Sequence, residues 1–123
     1  MNHFSTYVKN ALYDSIDTMS KHCSMFVKNP EKDFIRKRKL DFSTVLKMLL
    51  SMEGNSLQKE LYDFFEYSID TATVSAFVQQ RGKICPEALE FLFHDFNKKF
   101  PEFKTYDGYR LLACDGSDIN IPR

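Results

Sequence analysis

The sequence lacks tryptophan, an excess of either charge, and any long apolar run. Lys plus Arg and Asp plus Glu both number 17, so the global charge points to no partner and only local charge can do so. No stretch of about 18 apolar residues occurs, and the N-terminus has no apolar signal core; a membrane span and secretion by that route are excluded, and a cytoplasmic protein is expected. Cysteine is scarce and odd in number. Cys23, Cys85 and Cys114 stand far apart in apolar surroundings, which suits reduced thiols rather than a disulfide framework. Metal-ligand spacing among Cys and His is missing too: His22-Cys23 is the nearest approach, and adjacent residues on a helix point in different directions.

What is present supports one folded domain. The chain has 123 residues, 43% of them hydrophobic, with 12 Phe, enough for a modest core. From Tyr7 to Val27 apolar residues recur at Val8, Leu12, Ile16, Met19, Cys23 and Phe26, one stripe of an amphipathic helix capped by Ser5 or Thr6 and stopped by Asn29-Pro30. A second helix opens at Asp41 or Ser43, buries Phe42, Val45, Leu46, Leu49 and Leu50, and closes at Gly54. A third begins at Asn55 or Ser56, with Leu57, Leu61, Phe64 and Phe65 inward. Thr73 caps a short fourth helix through Arg81, with Val74, Phe77 and Val78 inward and Gly82 at its end. Cys85-Pro86 starts a fifth, because proline suits the first helical position. Glu87 and Glu90 near its start and Lys98 and Lys99 at its end match the helix dipole. Its stripe of Leu89, Leu92, Phe93, Phe96 and Phe100 is the most aromatic in the chain, so this helix is expected at the centre of the core. His94 lies one step off that stripe, at the surface or boundary. Pro101 ends the helix, and Tyr106-Asp107-Gly108 reads as a turn.

Two stretches carry chemistry. Phe34-Ile35-Arg36-Lys37-Arg38-Lys39-Leu40 sets four consecutive cations between apolar anchors. Lys28 to Lys47 holds seven basic residues (Lys28, Lys32, Arg36, Lys37, Arg38, Lys39, Lys47) against three acidic (Glu31, Asp33, Asp41), a local excess of four, so the remainder is net acidic by four. Such a cluster suits phosphate contacts, or is a solvated charge run. The third and fourth helices have the outline of a helix-turn-helix, the fourth carrying Ser75, Gln79, Gln80, Arg81 and Lys83. Gln and Arg can read base edges, and Ser and Lys can hold phosphates. Any helical hairpin also has a polar outer face. At the end of the chain Leu111-Leu112-Ala113-Cys114 reads as a strand buried on both faces, delivering Asp115 at its carboxyl end, where sheets place their chemistry. Asp115-Gly116 followed by the alternation Ile119-Asn120-Ile121 reads equally as a plain hairpin.

The order and spacing of these segments strongly resemble the N-terminal part of bacterial insertion-sequence transposases of the DDE type, the family named after the fourth insertion sequence. The resemblance covers about residue 34 to the end. It rests on Phe34-x-Arg36-Lys37-Arg38-Lys39-Leu40-x-Phe42, Ser56-Leu57-Gln58-x-Glu60-Leu61-x-x-Phe64-Phe65, Val74-x-Ala76-Phe77-x-x-x-Arg81-x-Lys83-Ile84-x-Pro86 and Tyr109-Arg110-Leu111-Leu112-Ala113-x-Asp115-Gly116-Ser117. The resemblance implies a helical region that binds the element's DNA ends and a following RNase H-like domain whose three acidic residues hold divalent metal. Asp115 would be the first of the three, catalytic and a ligand of Mg2+ or Mn2+; in an extended strand Asp118 points the opposite way. The second Asp and the Glu are absent, so the expectation is a chain cut just after its first sheet element and inactive by itself.

The expected fold is therefore mainly α: a compact five-helix bundle over residues 1–104 with a helix-turn-helix-like pair, then over 105–123 a short strand or hairpin that starts a missing RNase H-like domain. The expected partners are double-stranded DNA at transposon ends and a second copy in a synaptic dimer. A helical protein–protein module for transposase assembly is the alternative, and a regulator competing for the ends a third.

Overall fold

The first helix, α1, spans His3–Lys21, starting before and ending ahead of the apolar stripe that predicts it. Beyond it Cys23–Met25 form one tight 3-10 turn. The computed structural model describes residues 3–101 and 105–110. The expected strand Leu111–Cys114, Asp115 and the start of an RNase H-like domain lie outside the described residues.

Single residues punctuate the helices much as expected. Helix α2 (Phe42–Ser51) is capped by Asp41, whose carboxylate accepts from Thr44 N at 2.8 Å. Helix α3 (Leu57–Phe64) is capped by the Ser56 hydroxyl, and α4 (Val74–Arg81) by Thr73, which accepts from Ala76 N at 3.1 Å. Pro86 stands immediately before α5 (Glu87–Lys98). Gly54 does not close α2, which ends at Ser51; it takes φ +88° in the next connector. That connector is closed instead by Glu60, buried on α3, whose Oε1 accepts from Glu53 N at 2.9 Å and Asn55 N at 2.8 Å. Those two amide donors, Asn55's foremost, hold its carboxyl below the usual carboxylate range.

The core has two halves with α2 between them. Phe42 and Leu46 face a cluster with Ile16 and Met19 of α1, Phe26, Val27, and Ala88 and Leu92 of α5. Val45 and Met48 face the other way, into a cluster with Leu40, Leu61 of α3 and Phe77 of α4. The centre is thus α2 rather than α5. This explains why Met48 is buried and Leu50 exposed, against the single stripe expected. On α1 the small side chains Ala11 and Ser15 are buried, while Val8 and Leu12 are only half-buried. Lys99 Nζ reaches Ala11 O at 3.0 Å and ties the end of α5 to α1.

Helix α5 faces inward with Ala88 and Leu92; of the expected stripe only Leu92 is buried, Phe96 and Phe100 are half-buried, and Phe93 is 64% exposed and Leu89 46%. Two half-cores divided by α2 leave α5 covering one side of the bundle, so a narrow small-and-aliphatic edge suffices. Helix α4 is likewise rotated. Phe77 and Gln80 face in, and Val74 and Val78 are exposed.

Backbone pairing joins the segment after α1 to the connector between α4 and α5. Val27 bridges Ile84, Lys28 N donates to Lys83 O at 2.9 Å, and Cys85 N to Phe26 O at 2.8 Å. Cys23 and Cys85 are free and half-buried; burial first, then the Asp33 charge, pushes the Cys23 thiol up. The Tyr106-Asp107-Gly108 turn closes a small antiparallel hairpin, β1 (Thr105–Tyr106) and β2 (Tyr109–Arg110). Asp107 at φ 47° and Gly108 at φ 79° supply the positive φ pair of a two-residue hairpin turn. Among the described residues no helix is long and apolar enough to cross a membrane.

Candidate nucleic-acid interface

The basic run forms a non-helical arch between α1 and α2, pinned at three points. At its base Asp33 is buried and its carboxylate accepts from Asn29 N at 2.9 Å. Phe34 turns inward and sets its ring edge-on to Phe42 at 5.8 Å, at the cost of a left-handed φ of 58°. At the far end Leu40 is buried, and its carbonyl accepts from Gln80 Nε2 at 3.0 Å. Between these pins Ile35, Arg36, Lys37, Arg38 and Lys39 are all exposed. None of the four cations forms an ion pair with a described carboxylate. The nearest acids in sequence are otherwise engaged: Asp33 closes the base, and Asp41 caps α2.

Helix α4 and the residues after it supply the other wall. Lys83 Nζ donates to Gln80 Oε1 at 2.5 Å and lies 5.9 Å from the Phe34 ring, so this ammonium is folded onto the arch. Arg36, Arg38, Lys83 and Gln80 line one cleft of about 410 Å³, together with Lys32, Phe34, Ile35 and one acid, Glu31, which forms no ion pair with them. Arg38 and Lys39 line a second of about 310 Å³ with Thr73, Gln79 and Gln80. Two stretches separated in sequence therefore form one cationic surface.

The predicted residues divide by location. Arg36, Arg38, Lys39, Gln79, Gln80 and Lys83 come together, and Lys37 is exposed on the arch but lines neither cleft. Arg81 leans on the Phe77 ring, its guanidinium 5.8 Å from the centroid. Ser75 accepts from Gln79 Nε2 at 3.3 Å and lies in a separate hollow with Tyr62 and Tyr67. Gln80 is placed differently from expectation: it is buried, with both ends of its amide engaged inside the protein, so it does not face outward to read bases. Asp115, and with it the Mg2+ or Mn2+ expectation, lies outside the described residues; among those described, no group of three or more His, Cys, Asp or Glu could hold a metal ion.

The connector between α3 and α4 is also not the tight turn of a helix-turn-helix. It runs over residues 65–73, longer than the roughly three to four residues of that motif. It includes Glu66 and Tyr67 at φ 54° and 56°. Tyr67 is held there by stacking on Tyr62 and by donating its hydroxyl to Asp63 Oδ1 at 2.8 Å. Lys59 Nζ meets the other Asp63 oxygen at 2.6 Å; these hydrogen bonds, that of Lys59 foremost, lower the Asp63 pKa, while the bonds to Asp63 raise those of Lys59 and Tyr67. Sequence reasoning missed that Ile35 stands in water while Phe34 serves as the anchor. Two adjacent apolar residues give no local signal of which one turns in.

No protein-family model matches this chain, and searches of curated proteins and of solved structures find no match.

Proposed function

We propose that this chain is the helical DNA-end-binding region of a DDE transposase, and that the arch Ile35–Lys39 with the outer side of α4 is its duplex-contacting face. The observation that carries the reading is the meeting of the basic arch with Gln79, Gln80 and Lys83, two stretches separated by α2 and α3, on one surface whose arch cations pair with no described carboxylate. Unpaired Arg and Lys side chains bind phosphates and release condensed counterions, the main source of affinity for duplex DNA. Gln79 and Arg81 are the side chains on α4 left to contact base edges or backbone. In the intact protein Asp115 would be one carboxylate ligand for a divalent metal, which would activate the attacking oxygen in phosphodiester cleavage and strand transfer. Asp115→Asn then abolishes cleavage while leaving end binding in place.

The test is the salt dependence of duplex binding. Each phosphate contact contributes roughly 0.9 to the slope of log K against log salt. Changing Arg36, Lys37, Arg38 and Lys39 together to Gln should therefore flatten that slope by about 3, one contact being allowed to be absent. Binding that is absent, or tight and indifferent to salt, rules the proposal out.

A second reading, an assembly module with little DNA contact, has its own support in the exposed Leu89 and Phe93 on α5. Under it the chain self-associates with rising concentration, Phe93→Glu abolishes that association, and the arch substitutions do nothing to it. Analytical ultracentrifugation separates the two.

A further inference from the structure

Ile35 is 62% exposed at the head of the arch, beside Arg36 and on the rim of the cleft that Lys32, Arg38 and Lys83 also line. Its exposure is built in. Phe34 occupies the core position against Phe42, and it does so in the left-handed region, which a bulky residue rarely adopts. Phosphate binding alone needs cations, not a branched aliphatic side chain held in water. A ligand that offers both an anionic backbone and flat apolar surface needs both, and a DNA duplex whose bases are opened at one step is such a ligand.

The arch is also the right kind of element for the narrower groove. A minor groove about 6 Å wide excludes a helix but admits a single non-helical segment. With Gln80 turned into the protein, base-edge contact in the major groove is left to Gln79 and Arg81 on α4, while the arch, which is not helical, is available to the other groove. We propose that, given the DNA-binding reading above, the arch enters the minor groove and Ile35 acts as a wedge that unstacks a flexible A·T-rich step, while Arg36 and its neighbouring cations hold the flanking phosphates. Pyrimidine–purine steps such as TA unstack most readily, so recognition at this point is by deformability rather than by hydrogen-bond pattern.

The experiment uses the whole 123-residue chain and three duplexes of equal length: alternating dA·dT, alternating dI·dC and alternating dG·dC. Inosine lacks the guanine 2-amino group, so dI·dC resembles dA·dT in the minor groove and dG·dC in the major groove. A separate dA·dT duplex carries a 2-aminopurine at one adenine, which brightens when it is unstacked; affinities are read on the unlabelled duplex, because 2-aminopurine itself places an amino group in the minor groove. The expected result is that dA·dT and dI·dC bind alike, each roughly tenfold tighter than dG·dC, and that the 2-aminopurine signal rises on binding. Ile35→Ala should abolish that rise and the tenfold preference while leaving the salt slope unchanged, and Ile35→Phe should restore both. If dI·dC follows dG·dC, or if Ile35→Ala keeps the fluorescence rise, the wedge is refuted while DNA binding stands. Absence of salt-dependent binding to all three duplexes refutes the DNA-binding reading itself. Circular dichroism of each variant confirms that the exposed substitution leaves the helices intact.

Discussion

Gln79 and Gln80 are adjacent and chemically identical, yet the structure gives them opposite consequences. Gln80 is buried, its Nε2 donating to Leu40 O at 3.0 Å and its Oε1 accepting from Lys83. Gln79 is exposed, and its one side-chain bond, at 3.3 Å, reaches Ser75. Gln80→Leu preserves volume but removes the donor from a carbonyl in a buried setting, a loss of about 1–3 kcal/mol. The Lys83 ammonium can turn to water, so its lost partner adds little, and the new apolar contact offsets part of the cost; the net expectation is about 1–2 kcal/mol. With an m-value of about 2 kcal/mol per molar urea, the unfolding midpoint falls by roughly 0.5–1 M. Gln79→Ala stays within about 0.5 kcal/mol of the parent. Urea titration followed by circular dichroism reads both. An unchanged midpoint for Gln80→Leu, or equal shifts for the two variants, would refute the assignment of Gln80 as the pin between arch and α4.

Phe77→Ala empties a fully buried site and should lose about 3–5 kcal/mol, enough to unfold a marginal domain, whereas Phe93→Ala, on the exposed side of α5, should change stability by no more than about 0.5 kcal/mol. Thermal melts distinguish them, and similar losses would show that α5 is turned the other way. Glu60 has a folded-state pKa below its unfolded value of about 4.3, so its contribution is present above that value and is lost as pH falls through the lower folded one. The urea midpoint should therefore drop as pH falls from about 4 downward, and Glu60→Gln should remove that part of the acid limb; an identical pH profile in the variant would count against it.

The starts of α2, α3 and α4 were legible because each is signalled by one residue acting locally, whereas α1 and α2 end ahead of the residues expected to stop them. Asp41, Ser56 and Thr73 each accept a backbone N–H at the start of a helix, and no tertiary information is needed to foresee that. Helix faces were less legible. A helix packed against two clusters has no single stripe, so the pattern on α2 assigned Leu50 the burial that belongs to Met48. On α5 the aromatic residues dominated the pattern, but burial is decided by the space beside α1 and α2, which admits Ala88 and Leu92. On α4 a glutamine displaced two valines from the inner face, because a carbonyl from a distant segment required a donor there. That requirement arises only once Leu40 and Gln80 are brought together, and their own neighbours in sequence carry no trace of it. The cationic run and its apolar flanks were visible in the order of residues, while the choice of Phe34 over Ile35 as the anchor and the bond from Gln80 to the Leu40 carbonyl were not.

The cations of the arch repel one another, and a chain with equal numbers of acids and bases had carboxylates with which to neutralise them. Instead Asp33 is folded into the base of the arch and Asp41 into the start of α2, each serving backbone N–H groups. The same contacts that shape the loop thus keep these two carboxylates out of direct ion pairs with it. A flexible basic tail would lose conformational freedom on meeting an anion, whereas an arch fixed at Asp33, Phe34 and Leu40 has lost much of that freedom on folding. Under the proposed function, the phosphate oxygens of a bound duplex would relieve that self-repulsion. On this view the left-handed Phe34 and the inward Gln80 belong with the cations they hold in place, since releasing either pin would restore the loop's freedom and weaken its hold on an anionic partner.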